Sequence, residues 1–123
     1  MASILIADDD AHIARVLGMW LERHGHRETI VGNGEAALRS LDQSPVDLVI
    51  SDMNMPVLDG VGLVRALREQ LGQGLPIVVL TARCDQEDLT QELAAFGAKV
   101  YPKPFLPSQL VVEINQLLGS HVP

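Results

Sequence analysis

The sequence is poor in the residues that build disulfide frameworks and aromatic cores. Cys84 is its one cysteine, and aromatic residues make up 3% of the chain. A single cysteine excludes an internal disulfide and a CxxC metal site, so the composition favours a reducing compartment, and we expect a cytoplasmic protein. With so few aromatics, the core must be built mainly from Val, Ile, Leu and Ala.

Long apolar runs and an excess of basic residues are also missing. No apolar stretch approaches the ~20 residues needed to cross a bilayer. The N-terminal MASILIADDD has neither a basic region nor a cleavage site. The chain has 9 Lys and Arg against 16 Asp and Glu, a net charge of −7, which argues against direct binding to nucleic acid. We therefore expect neither a membrane nor nucleic acid as a direct partner.

What the sequence does contain is a regular alternation of two patterns. A chain of 123 residues that is 47% hydrophobic is expected to form one globular domain, over residues 1–123. Short apolar runs of strand length alternate with segments of helical period, and the runs are SILIA (3–7), ETIV (28–31), VDLVIS (46–51), PIVVL (76–80) and a short segment at 99–101. Five strand–helix units in this order predict an α/β fold with a doubly wound parallel sheet.

Polar residues follow four of the five predicted strands. Asp8, Asp9 and Asp10 come after the first strand, Asp52 after the third, Thr81 after the fourth and Lys103 after the fifth. Singly, each has an ordinary explanation, such as a helix N-cap or a turn. In a parallel sheet, however, the carboxyl ends of the strands share one edge, and ligands bind there at the switch point of the strand order. We therefore predict that these side chains form one site.

The charges of such a site indicate its chemistry. Two carboxylates about 4 Å apart repel by ~1 kcal/mol in water and by ~4 kcal/mol at an effective dielectric constant of about 20, so Asp8, Asp9 and Asp52 require a cation among them. Oxygen ligands without cysteine or a nearby histidine indicate Mg²⁺ or Mn²⁺. With the ion bound, Thr81 and Lys103 can hold phosphoryl oxygens, and an aspartate can accept the phosphoryl group.

Four motifs in this chain resemble those of the receiver domain of two-component response regulators. They are ILIADDD, VDLVISDMNMPVLDG, VVLTA and KPF, in this order and at the usual intervals, and together they span nearly the whole chain. The resemblance implies a (βα)5 fold with the flavodoxin-like strand order 2-1-3-4-5 and helices on both faces. It also implies a phosphorylation switch that is catalytic only on itself.

In such a phosphorelay, the phosphoryl group comes from a histidine kinase or a histidine phosphotransfer protein. The resemblance implies that the signal passes to a downstream partner, an output domain or a second copy in a phosphorylation-dependent dimer. We expect residues 1–123 to be a single receiver domain without an output domain.

The resemblance also assigns roles by position. Asp52 would be the phosphoacceptor. Asp9 would ligate Mg²⁺ or Mn²⁺ directly and Asp8 mainly through water, while Asp52 and the backbone carbonyl of Asn54 would complete the protein ligands. Thr81 would supply the switch hydroxyl.

Further positions carry over around these. Lys103 would pair first with Asp52 and then with the phosphoryl group, and the Lys103–Pro104 bond would be cis. The small Ala82 suits an open path to the acceptor. In the turn after Asp52, Pro56 and Gly60 would shape the loop, and Asp59 would cap the following helix.

Two positions depart from the family pattern or modulate it. The switch aromatic usually lies three residues before the lysine, but here YPK places Tyr101 two residues before Lys103, and Val100 occupies the usual place. Side chains alternate along a strand, so this slip reverses Tyr101 unless a bulge absorbs it. Arg83, two residues after Thr81, is expected near the phosphoryl group, where it would affect attack by water; a solvated loop cation is the alternative.

Two other functions fit parts of the pattern. Asp8 and Asp10 form a DxD pair, as in Mg²⁺-dependent phosphatases with an aspartate nucleophile, but His12 stands where such motifs usually carry Thr or Val. A receiver-like module that binds constitutively is the other alternative, and the presence of every key residue argues against it.

Overall fold

The structure is a computed structural model that describes residues 2–72, 74–82 and 87–119. These residues form strands and helices in strict alternation: β1 (Ser3–Ala7), α1 (Ala11–Arg23), β2 (Arg27–Val31), α2 (Gly34–Gln43), β3 (Leu48–Asp52), α3 (Gly60–Leu71), β4 (Ile77–Thr81), α4 (Glu87–Ala95), β5 (Lys99–Pro102) and α5 (Pro107–Gly119). The alternation predicted from the apolar runs is therefore confirmed.

The strands form one parallel sheet in the order β2-β1-β3-β4-β5. The strand order expected from the family resemblance is thus confirmed. Because the order reverses direction between β1 and β3, the loops after these two strands flank the switch point at the carboxyl edge of the sheet.

Alternation of side chains along the strands divides the core into two layers. Leu5, Val49 and Val79 face one layer, which α2, α3 and α4 cover, while Ile6 and Ile50 face the other, which α1 and α5 cover. The central strands β3 and β4 are buried along their whole length. This burial explains why their sequences are apolar throughout instead of alternating.

The third strand starts and ends later than its apolar run predicts. It runs from Leu48 to Asp52 instead of 46–51. Asp47, predicted inside the strand, lies before it and receives the Ser3 N–H through its side chain (2.8 Å), while its own N–H donates to the Ser3 carbonyl (2.7 Å). The shift makes Asp52 the last residue of the strand, so the backbone of β3 holds it directly.

Capping side chains fix the helices next to the carboxyl edge. Asp10 is the N-cap of α1 and accepts the backbone N–H groups of His12 (3.0 Å) and Ile13 (3.2 Å).

At the other end of α1, Gly25 has a positive φ of 84°, a conformation that favours glycine. Among the described residues, no helix has the length and apolar character required to cross a membrane.

Candidate functional site

Sheet register brings the aspartates of β1 and β3 together. Ala7 pairs with Ser51, so Asp8 follows β1 directly beside Asp52, the last residue of β3. Both side chains are buried, whereas Asp9 is exposed. The backbone N–H of Asp10 donates to Asp8 Oδ1 at 2.8 Å, which orients the Asp8 carboxylate.

These three aspartates are arranged as a cation-binding group would be. Asp8, Asp9 and Asp52 each offer one carboxylate oxygen, and these oxygens lie within 4.8 Å of one another. Burial and the negative charges of Asp52 and Asp9 raise the pKa of Asp8, although the hydrogen bond from Asp10 and the charge of Lys103 act against this. Hard oxygen donors crowded at one point fit a divalent cation such as Mg²⁺ or Mn²⁺.

Lys103 reaches into this group from the end of β5. Its Nζ lies 2.9 Å from Asp52 Oδ1 and 3.6 Å from Asp8 Oδ2. Burial lowers the pKa of Lys103, but the hydrogen bond to Asp52 and the negative charges of Asp8 and Asp52 outweigh burial and raise it above the ordinary value. The amine is therefore held as a cation against the buried carboxylates.

The end of β4 completes the edge beside Lys103. Thr81 is buried, and its carbonyl accepts the Lys103 N–H at 2.8 Å. The next residue, Ala82, is exposed and lines an apolar pocket of about 390 Å³ with Lys103, Phe105 and residues of α1. A small side chain at 82 leaves this pocket open next to the lysine that contacts Asp52.

The loop after Asp52 is closed by short contacts at its base. The Gly60 N–H donates to the Met53 carbonyl at 2.9 Å, and a Cβ at Gly60 would lie only 2.6 Å from the Asp52 carbonyl oxygen. Any side chain at position 60 would therefore displace the backbone next to Asp52. Asp59 caps α3 as predicted, since its Oδ1 accepts the Gly62 N–H at 2.8 Å.

The rest of this loop is a tight turn. The carbonyl of Pro56 accepts the Leu58 N–H at 2.8 Å, and the carbonyl of Leu58 accepts the Gly34 N–H of α2 at 3.0 Å. Asn54 is exposed at the start of this turn, two residues beyond Asp52. The loop is thus tied both to the end of β3 and to the first residue of α2.

The segment after β5 has the backbone that the family resemblance implies. The Lys103–Pro104 bond is cis, as expected. The helix α5 begins at Pro107, where the missing N–H of proline is tolerated.

Tyr101 lies on the opposite face of the sheet from Val100. The strands β4 and β5 pair residue by residue, from Val78 with Lys99 to Thr81 with Pro102, so no bulge shifts the alternation here. Tyr101 packs against the layer of α1 and α5, and Val100 against the layer of α2, α3 and α4. By the same alternation Thr81 lies on the face of Val100. The reversal predicted from the shortened spacing is therefore present, and the aromatic side chain does not share a face with Thr81.

The neighbour of Tyr101 was not predicted from the sequence. Burial, a hydrogen bond with the Glu113 carboxylate on α5 and the negative charge of that carboxylate raise the pKa of Tyr101 to about 12. Glu113 is the only charged residue of α5, a signal that was present in the sequence without indicating which residue it contacts. Arg83 lies outside the described residues.

Comparison with known protein families agrees with this arrangement. The profile of the response regulator receiver domain matches residues 4–115. The chain belongs to the response regulator receiver domain family.

Individual relatives are similar over most of this chain. The DNA-binding response regulator MtrA of Mycobacterium tuberculosis is 35% identical over 115 residues, which cover 94% of this chain and 50% of MtrA. The chain thus spans about half the length of this curated relative.

Solved receiver structures match the fold closely. The receiver domain of the Francisella response regulator 1452 has a TM-score of 0.90 and 29% identity, covering 99% of this chain and 100% of that one. The chemotaxis protein CheY4 of Vibrio cholerae has a TM-score of 0.86 and 33% identity, covering 94% and 98% of the two chains.

Proposed function

We propose that this receiver domain accepts a phosphoryl group on Asp52 in a reaction that depends on Mg²⁺ or Mn²⁺. The observation that carries the proposal is the convergence of Asp8, Asp9 and Asp52 within 4.8 Å, with the Lys103 amine 2.9 Å from Asp52. This combination provides an oxygen nucleophile, a divalent-cation site and a fixed positive charge at one point of the sheet edge.

Asp52 acts as the nucleophile in this proposal. One of its carboxylate oxygens forms the new bond to phosphorus while the bond from phosphorus to the donor's imidazole nitrogen breaks, and that nitrogen takes up a proton. A bound divalent ion, held by Asp8, Asp9, Asp52 and the Asn54 carbonyl, would neutralise charge on the phosphoryl oxygens.

Lys103 and Thr81 hold the transferred group in the proposed reaction. The Lys103 amine, paired with Asp52 beforehand, turns to a phosphoryl oxygen, and the Thr81 hydroxyl donates to another. Water then attacks the acyl phosphate, which releases inorganic phosphate and restores the Asp52 carboxylate. The protein therefore catalyses only its own phosphorylation and dephosphorylation.

The donor we propose is a histidine kinase or a histidine phosphotransfer protein. The apolar pocket next to Ala82 and Lys103 offers contact area beside the acceptor for a protein donor. A downstream protein, an output domain or a second copy would receive the signal. Since such kinases phosphorylate their targets inside the cell, we propose a cytoplasmic location.

Phosphorylation by a small donor tests the proposal directly. We expect acetyl phosphate and Mg²⁺ to add one phosphoryl group to the wild-type chain, as seen by intact-protein mass spectrometry. Asp52→Asn should abolish the adduct because the nucleophile is gone. Removal of Mg²⁺ with a chelator should slow formation by at least about 100-fold, the scale of losing one strong electrostatic stabilisation.

Two further variants separate the alternatives. Asp42→Asn, at an exposed position on α2, is the matched control and should be phosphorylated like the wild type. Asp8→Asn should slow the adduct's formation without abolishing it. If Asp52→Asn instead keeps the adduct, and Asp8→Asn stops a steady turnover of donor, the protein is an aspartate-dependent phosphatase and the proposal is wrong.

A further inference from the structure

A pocket lies between α5 and the segment that joins β5 to α5. It is on the face of the sheet opposite to Thr81. Its volume is about 430 Å³, and its walls include Tyr101, Phe105, Leu106, Gln109 and Glu113. Ligand pockets in proteins usually measure about 300–1,000 Å³, so this pocket is at the small end of the range. It has room for a single side chain but not for a large cofactor.

The polar part of this pocket has an acceptor without a donor. The Oε2 atom of Glu113 is shielded from solvent and receives no hydrogen bond from the described residues. The hydroxyl of the half-buried Tyr101 forms a hydrogen bond with this carboxylate, so the oxygen without a donor among the described residues is Oε2 alone. A carboxylate oxygen in such a position is stabilised by a cationic donor, which forms stronger hydrogen bonds than a neutral one.

Apart from Glu113, Gln109 and the Tyr101 hydroxyl, the described side chains that line the pocket are apolar. Leu106, one of these apolar residues, is 61% exposed. Among the residues that the structure describes, neither lysine nor arginine lines the pocket. An aliphatic stem with a cationic end matches this combination of apolar rim and acidic wall.

We propose that this pocket binds an arginine side chain presented by a partner protein. The stem would pack on Phe105 and Leu106, and the planar guanidinium would reach Glu113 beside the ring of Tyr101. Arginine fits better than lysine because its planar group both stacks on aromatic rings and pairs with a carboxylate. The terminal torsion of a glutamate is broad, so the carboxylate can turn Oε2 towards the incoming donor.

The position of the pocket gives such a contact a consequence. Pro102 and Pro104 belong to its walls, and Lys103 between them contacts Asp52. A partner seated here therefore touches the segment that carries the lysine of the site. The binding itself does not depend on phosphorylation, so the proposal is tested on unphosphorylated protein, separately from the chemistry of Asp52.

A titration with a blocked amino acid tests the pocket. The probe is N-acetyl-arginine methylamide, and the neutral comparison is N-acetyl-citrulline methylamide, which has nearly the same shape. We expect the arginine probe to shift backbone amide NMR signals of Tyr101, Phe105 and Gln109 with a millimolar dissociation constant. The citrulline probe and the Glu113→Gln variant should each bind at least about tenfold more weakly, the change expected from about 1.4 kcal/mol.

The control must account for the general attraction of cations to this acidic chain, whose net charge is −7. Glu69→Gln removes an equal charge from the exposed surface of α3 and should leave the dissociation constant unchanged. The proposal is overturned if Glu113→Gln binds as tightly as Glu69→Gln, or if citrulline binds as tightly as arginine. It is also overturned if the same signals move when the protein is diluted without a probe, because the occupant is then a second copy.

Discussion

The two edges of the sheet differ in how their polar side chains are paired. At the carboxyl edge, Asp8 and Asp52 are buried next to each other, and one cation, Lys103, contacts both. At the amino edge, the side chains of Asp47 and His26 form hydrogen bonds that join chain segments. Glu22 and Glu28 also lie close together near this edge, but Glu22 is exposed and Glu28 only half-buried. The first arrangement is unfavourable without a further cation, whereas the second only fastens chain segments.

The hydrogen bonds at the amino edge join segments that are distant in sequence. The Ala2 N–H donates to His26 Nδ1 at 3.2 Å, so the imidazole proton is on Nε2, which donates to Asn115 Oδ1 at 2.6 Å. The side chain of Asp47 accepts the Ser3 N–H at 2.8 Å. A difference of this kind between two ends of one sheet indicates where function lies, because buried groups perturbed by charged neighbours cluster at functional sites.

Removing the cation should produce the largest effect. Lys103→Met leaves two buried carboxylates without their partner, and we expect the free energy of unfolding at neutral pH to fall by about 3 kcal/mol, the scale of breaking a buried ion pair. Urea unfolding without divalent ions measures this. Mg²⁺ at about 100 times its dissociation constant should restore about 2.7 kcal/mol, because the ion binds only the folded state.

The matched control for this substitution lies at the start of β5, the strand that Lys103 follows. Lys99 is exposed, and Lys99→Met should change the unfolding free energy by less than about 0.5 kcal/mol. Equal effects of the two substitutions would mean that the carboxyl edge does not depend on its cation, and the contrast between the two edges would fail.

The amino edge should respond to loss of its hydrogen bonds but not to metal. His26→Ala removes both ring contacts, and we expect a loss of about 2 kcal/mol, since each hydrogen bond contributes about 0.5–1.5 kcal/mol. His12→Ala, at an exposed position, is the control. Calorimetric titration should show the same Mg²⁺ affinity for His26→Ala as for the wild type. An affinity changed several-fold would show that the two edges are coupled.

Much of this architecture was predictable because it depends on local pattern. Buried parallel strands require continuous apolar runs, so the strands and their order of appearance could be predicted directly, and the common edge of a parallel sheet then brought Asp8, Asp52 and Lys103 together. The exact start of β3 was not predictable. It depends on Asp47, whose side chain contacts Ser3, 44 residues away in the sequence.

The surroundings of Tyr101 were only partly predictable from the sequence. Counting residues to Lys103 was enough to predict that the aromatic side chain reverses, since alternation along a strand is a property of the backbone alone. Its contact with Glu113 was not predictable, because it requires the position and rotation of α5 over the sheet. The hydrogen bond from the Gly34 N–H to the Leu58 carbonyl was not predictable for the same reason, because it joins a loop to a helix that is distant in sequence.

The smallest effect we predict has the opposite sign to the others. Asp8→Asn removes a buried negative charge while keeping an acceptor for the Asp10 N–H, so the metal-free variant should be more stable than the wild type at neutral pH, by about 1 kcal/mol. Thermal unfolding in the presence of a chelator measures the difference. At saturating Mg²⁺ the order should reverse, because the wild type alone keeps the full set of carboxylates.

The pH dependence of this difference follows from the raised pKa of Asp8. Below the ordinary aspartate value of 3.8, Asp8 is protonated in the folded and the unfolded chain, so asparagine at this position has no advantage. Between pH 3.8 and the higher pKa of the folded state, the folded wild type still holds the Asp8 proton, whereas the unfolded chain has lost it. The free energy of unfolding of the wild type therefore falls as the pH rises through this range, and that of the variant does not. The gap should therefore open above pH 3.8 and level off above the raised pKa that Asp8 has in the folded state. A gap that is constant over this range would show that Asp8 is not destabilised by its neighbours, and the two edges of the sheet would then differ in geometry but not in energy.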